Sequence, residues 1–246
     1  MTSRARRVPA CVCLLAGALG AGLLVGACGG QPGGVLGGIT RRSSSGRGAG
    51  ECLAERAGSR APTAAVSGEA CQRGEFAACG QECQDDVGDG CVRMAALVEA
   101  QLPDDPRAFA LYERGCVLGN AGACTSYGVG IVTRKPGASG DAQCAGQLFV
   151  IACSARDARG CGMLGVALAD GHGLPKDPSK ARAVLEQACG ELAGFACNSL
   201  GYLLEQGRLG PPDLAAAGAA YDRGCSSGHA KSCEDAQRLR GSPIPR

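Results

Sequence analysis

Six pairs of cysteines stand eight positions apart in this chain: Cys71 and Cys79, Cys83 and Cys91, Cys116 and Cys124, Cys153 and Cys161, Cys189 and Cys197, Cys225 and Cys233. Two chemistries suit paired thiols, disulfide formation and metal ligation. Zinc sites favour cysteines two to four apart or matched histidines. The repeats from Cys116 onward have neither, and the chain holds only His172 and His229, both in loop-forming sequence. No metal or other cofactor is expected, and both histidines are expected to be solvent-facing turn residues. The fourteen cysteines after Cys28 are an even number, as a disulfide framework requires.

The pairs from Cys116 onward recur at 37, 36 and 36 residues, a period that belongs to two-helix solenoid repeats. Aligned on the cysteines, the repeats show which positions are constrained. Eight before the first cysteine lie Ala108, Ala145, Ala181 and Ala217; four before lie Tyr112, Phe149, Leu185 and Tyr221; one before lie Gly115, Ala152, Ala188 and Gly224. Offsets of four and eight share one helical face, so this segment, helix B, presents a small residue where another helix crosses and a large one beside it. Twelve before lies an aspartate each time, Asp104, Asp141, Asp177 and Asp213, read as a helix N-cap rather than a catalytic carboxylate.

Counting forward from the second cysteine gives helix A. Three on are Met94, Tyr127, Leu164 and Leu200; four on are Ala95, Gly128, Gly165 and Gly201; seven on are Val98, Ile131, Leu168 and Leu204. Apolar residues at three and seven with a minimal one between them predict a helix whose backbone approaches a neighbour. Gly171 and Gly207, followed by Pro175 and Pro211, end it. Each cysteine pair then joins the end of one helix B to the start of the next helix A. A disulfide across so short a loop removes unfolded-state freedom worth roughly 2 to 3 kcal/mol. Cys71, Cys79, Cys83 and Cys91 are too crowded for two complete repeats, and three pairings are open among them, the eight-residue step being the preferred one. Cys52 and Cys144 are left over, joined to each other or free. Cys144 shares its register with Arg107, Lys180 and Ala216, which predicts an exposed face.

With four Phe, four Tyr and no Trp among 246 residues, against 41 Gly and 17 Cys, packing must rest on Leu, Val and Ala with covalent help. All 23 acidic residues lie at or after Glu51, where 19 basic residues accompany them, a net of about −4. That balance gives no footprint for nucleic acid. Before Glu51 the chain is basic. Arg4, Arg6 and Arg7 precede an apolar run from Val8 to Ala27, the layout of a bacterial export signal. Val25, Gly26, Ala27 and Cys28 resemble a lipobox, which implies lipidation of Cys28 and a signal peptide over 1–27; the alternative is an uncleaved anchor helix. Residues 28–50 are rich in Gly, Ser and Arg and read as a flexible linker.

In Leu164-Gly165, Gly171 to Gly173, Lys176-Asp177, Lys180-Ala181 and Ala188-Cys189, the chain resembles Sel1-like repeats, relatives of the tetratricopeptide repeat. With a cysteine pair in each copy it is similar to the cysteine-rich Sel1-like proteins secreted by bacteria. It departs in its scarcity of aromatics, in the loop Arg134 to Ser139 and in a shortened first unit. The resemblance implies an all-α fold, an α-solenoid of helix-turn-helix repeats stapled by disulfides, with an irregular cysteine-rich cap over 51–90 and the solenoid over 91–246. It further implies a scaffold in the cell envelope whose concave face, lined by helix A, holds a protein or peptide, with a membrane attachment through Cys28. Gly29, where an aspartate would retain some lipoproteins at the inner membrane, gives a preference for the outer membrane. The alternative it implies is penicillin binding or weak β-lactam hydrolysis. Ser-x-x-Lys and a phosphate loop are absent from the sequence, and no catalytic residue is assigned.

Overall fold

The computed structural model describes residues 52, 67–192 and 194–241, all in one unit of the chain. The segments 1–27 and 28–50, with Cys28, lie outside the described residues. Among these there are eleven helices and no strand. Two short helices, α1 (Glu69–Gln72) and α2 (Phe76–Gln84), lead into alternating A and B helices. The A helices are α3 (Gly88–Gln101), α5 (Ala121–Thr133), α7 (Ala158–Asp170), α9 (Gly194–Glu205) and α11 (Ala230–Leu239). The B helices are α4 (Pro106–Val117), α6 (Ala142–Ser154), α8 (Pro178–Glu191) and α10 (Leu214–Ser226). The fold is thus an all-α repeat array. Within the cap expected over 51–90, the described residues from Ser67 on hold α1, α2 and the start of α3.

The constrained rows of the sequence form the core. Ala108, Ala145, Ala181 and Ala217 are buried, as are Tyr112, Phe149, Leu185 and Tyr221 beside them. Small and large residues meet directly. A Cβ added to Gly128 would lie 2.7 Å from the Phe149 ring, one on Gly165 2.4 Å from Leu185, and one on Gly201 2.6 Å from the Tyr221 ring. Each glycine of helix A is therefore the seat for the large side chain of the following helix B. One residue before the cysteine, Gly115 would bring a Cβ within 3.4 Å of Cys91 Cβ, and Gly224 within 3.3 Å of Cys197 Cβ, so helix B ends against the preceding disulfide.

The caps obey the register with one exception. Asp141 accepts from Cys144 N at 2.8 Å, Asp177 from Lys180 N at 2.9 Å and Asp213 from Ala216 N at 2.9 Å. In the first unit the cap is Asp105, which accepts from Arg107 N at 2.9 Å, and Asp104 is an exposed partner of Lys135. The reason is Pro106, which takes the first helical position and leaves the residue before it as the cap. The loop Arg134 to Ser139, which departs from the resemblance, is drawn back by Tyr127, whose hydroxyl receives the Ser139 N–H at 3.2 Å.

The turns from helix B to helix A repeat in backbone detail. The third residue after the first cysteine is left-handed in five of six joints: Gly74, Asp86, Gly119, Arg156 and Gly228, with φ between 62° and 87°. Its N–H donates to the carbonyl of that cysteine, and the next N–H reaches the residue before the cysteine, as in Gly119 N to Cys116 O at 2.9 Å and Asn120 N to Gly115 O at 3.0 Å. These are the paired bonds of a Schellman motif. The same next residue caps the A helix: Asn120, Asp157 and His229 accept from the N–H three residues on. The two cysteines are thereby brought to Cα–Cα distances of 4.4–4.6 Å and bonded in all six pairs. Cys79 and Cys83 share α2, so that nine-residue helix is bonded back to α1 and forward to α3.

Two substitutions separate steric seating from backbone strain. Gly201→Ala overpacks the Tyr221 seat at about 1 to 3 kcal/mol, of which alanine's helix propensity returns at most about 1 kcal/mol. Gly228 has φ +87° and open space around its missing Cβ, so Gly228→Ala costs about 1 to 2 kcal/mol from conformation alone. Urea unfolding of the oxidised protein measures both, and equal stability of Gly228→Ala and the parent would remove the turn from the account.

Candidate protein interface

Helix A has two faces. One, at three, four and seven after the cysteine, is buried against helix B at every position but the half-buried Met94. The other carries the residue five after the cysteine: Ala96, Val129, Val166 and Tyr202 in successive units. Ala96 is exposed, Val129 and Val166 are half-buried, and Tyr202 is 44% exposed with the Arg208 guanidinium 5.8 Å over its ring. Beside this row lie Arg93, Ser126 and Met163, also half-buried. Consecutive A helices touch one another: α3 meets α5, α5 meets α7, α7 meets α9 and α9 meets α11, with α7 and α9 the most extensive pair. Among the B helices, α8 and α10 make the most extensive contact, and it is slight. The A layer is therefore the more closely spaced side of the stack, and its row of apolar and small residues recurs from unit to unit.

Polar bonds hold adjacent A helices in line. Thr125 Oγ1 on α5 donates to Asp157 Oδ1 at 2.6 Å, and the same oxygen caps α7. Arg159 donates to Ser126 Oγ at 3.4 Å between α7 and α5, and Asn198 donates to Asp235 at 3.1 Å between α9 and α11. Arg208 and Asp170 form an ion pair between the ends of α9 and α7.

Helices A and B of one repeat are tied by a second device that sequence reading missed. Where the large residue of helix B is tyrosine, the residue eight after the cysteine in helix A is glutamate. Tyr112 donates to Glu99 at 2.7 Å and Tyr221 to Glu205 at 2.8 Å. Where that residue is Phe149 or Leu185, the matching position is Val132 or Ala169. The covariation was in the rows and would have shown the contact. Burial, reinforced by the glutamate, raises the pKa of both tyrosines. Arg238 on α11 closes the second cluster with two bonds to Glu205, at 2.7 and 2.8 Å, and its hydrogen bonds hold the carboxyl below the usual glutamate range.

The histidines differ from expectation in one case. His172 is exposed, 3.7 Å from Asp170. His229 is partly buried, edge-on to Phe195 at 5.9 Å, and its Nδ1 caps α11. Ser232 Oγ lies 2.9 Å from that nitrogen, a pairing with the outline of a nucleophile and base. Ser232 is completely buried under Gly224, however, and Nδ1 is committed to the cap, so a substrate has no approach. No described residue acquires a role in β-lactam chemistry from this geometry. All fourteen cysteines from Cys52 on are in disulfides, Cys52 being bonded to Cys144. Cys144, expected on an exposed face, is buried, because Cys52 covers it and packs against the core.

Alternating helices, a period of 36 to 37 residues and glycine seats for the next helix together define the architecture. The chain has the fold of Sel1 repeat proteins. Over 62% of its length it matches the crystal structure of a Sel1 repeat protein from Oxalobacter formigenes, with 24% identity and a TM-score of 0.52. Over 70% it matches the crystal structure of c5321, a protective antigen present in uropathogenic Escherichia coli strains that displays an SLR fold, with 19% identity and a TM-score of 0.51. The matches span 63% and 38% of those chains. No family model matches the chain, and no curated protein does at a significant level. Six disulfides between adjacent helices and a seventh from Cys52 to α6 suit an oxidising, extracytoplasmic compartment. Among the described residues no helix is long and apolar enough to cross a membrane.

The Glu205 cluster gives this Sel1 fold a signature in acid. With its folded pKa below the unfolded value, Glu205 adds stability fully present above about pH 4.3 and lost as pH falls through the lower folded pKa. Glu205→Gln is therefore less stable than the parent at pH 7, and the gap closes as pH drops toward 3; a gap constant with pH contradicts the ion pair. Tyr221→Phe costs about 1 kcal/mol at pH 7. Thermal unfolding across pH reads both.

Proposed function

We propose that this protein is an exported, lipid-anchored binding scaffold of a bacterial envelope, holding a protein or peptide partner on its A-helix face. The single observation that carries the reading is the row Ala96, Val129, Val166 and Tyr202, half-buried to exposed on the closely spaced layer. Repeat arrays use such surfaces to bind extended ligands, and the side chains of the row set the partner. The partner is not nucleic acid, since the charge after residue 50 is weakly acidic. In this reading residues 1–27 direct export, acylated Cys28 holds the chain in the membrane, with the outer membrane preferred, and residues 28–50 are the tether. Residues 51–90 cap the array, and the solenoid over 91–246 does the binding.

Intact-mass analysis of the membrane-extracted protein tests the anchor. The expected mass is a chain beginning at Cys28 plus lipid, rising by about 14 Da on reduction as seven disulfides each take up two hydrogens. An unmodified Cys28 in the membrane fraction refutes lipidation. For the binding face, capture from envelope extracts is expected to recover a partner that Val166→Lys with Tyr202→Ala loses. Recovery that ignores this double variant moves the binding surface elsewhere.

A further inference from the structure

The six eight-residue disulfides are local: each fixes one joint, and each joins helices that already touch. An array held only in this way still opens from its ends, because every unit is supported by its neighbours alone. The seventh bond is different in kind. Cys52 and Cys144 are 92 positions apart, with Cα atoms 5.6 Å from each other, and Cys144 is 3% exposed near the start of α6. Cys52 is partly buried and packs against the core. Five helices, α1 to α5, lie between these two cysteines in the chain. Everything N-terminal to Cys52 therefore joins the array at α6, a B helix near its middle, as well as through the backbone that continues to α1.

We infer that the Cys52–Cys144 bond is the fastening point of the N-terminal leader, so that the array is held by α6 and not by its first helix. The membrane consequence rests on the anchor proposed above; the fastening itself does not. A lipid on Cys28 would then be 24 residues from the array instead of the 39 that separate it from Ser67. At the coil dimensions of Gly-rich chains the reach becomes about 27 Å in place of about 34 Å. Tension on the leader passes into α6, and α1 to α5 sit inside a closed covalent ring that carries none of it. The attachment lies on the B layer, in the register of the exposed Arg107, which leaves the A-helix row on the other layer unencumbered. The same ring prevents the first units from separating from the array when they open. That is the weakness of a short N-terminal end whose α1 has four residues.

The test uses the full exported chain with Cys28→Ala, an affinity tag between Gly33 and Gly34, and a site-specific protease sequence between Gly58 and Ser59. Bound to resin by the tag and cut without reductant, the array is expected to stay on the resin and to leave only with dithiothreitol. Added Cys52→Ser and Cys144→Ser are expected to release it at the cut alone. Release of the unsubstituted chain by protease without reductant overturns the proposal. A second readout does not depend on cutting: hydrogen exchange in α1 and α2 is expected to be about tenfold faster in the doubly substituted chain, with α8 to α11 unchanged. Equal exchange in α1 and α2 overturns the protective role of the ring. Repeating the cut on lipidated chain in phospholipid vesicles separates the two readings, because retention on resin with loss from vesicles counts against the lipid at Cys28 and leaves the fastening in place.

Discussion

The distance between helices A and B is the constraint from which the rest of this molecule follows. A chain with no Trp and eight Phe and Tyr cannot fill a wide space between helices, so the helices must come close. At Gly128, Gly165 and Gly201, four residues after the second cysteine, the Cβ that would hold them apart is missing, and a single large side chain from the next helix occupies the place it leaves. Close approach then dictates the small residue at the end of helix B, which lies against the disulfide before it. Thin layers bury little area per unit, and this is why every joint also carries a covalent bond.

Much of this was legible in one sequence because repetition supplies its own comparison. Four or five copies in register separate what packing demands from what varies, and the alanine, glycine and large apolar rows all reached the core as expected. What escaped had physical causes. Asp105 replaced Asp104 as a cap because one proline shifted the helix start by a residue. Cys144 looked exposed because Arg107 and Lys180 share its register, and a partner 92 residues away changed its surroundings without altering the periodic pattern. Left-handed residues such as Arg156 and Asp86 stood at the turns unmarked by glycine. His229 took over a cap that Asn120 and Asp157 hold in other units, and nothing in a lone histidine announced it.

The candidate site was less legible than the fold, for a reason built into repeats. Positions that face a neighbouring helix are fixed by contact, whereas those five residues after the cysteine are only partly covered and vary from Ala96 to Tyr202. The Glu–Tyr bonds show the intermediate case. Glu99 and Glu205 are tied to tyrosines in the large-residue row, and between them the array is apolar at the same positions.

The short helix α2 carries a last consequence. Cys79 and Cys83 stand on it four residues apart, each already committed to a different neighbour. Copying or deleting a stretch that cut between them would strand a thiol. Downstream, a stretch such as residues 162–197 brings both members of its own pair and one full period. The array can therefore lengthen or shorten by whole units in that region while the count of cysteines stays even and every joint remains closed.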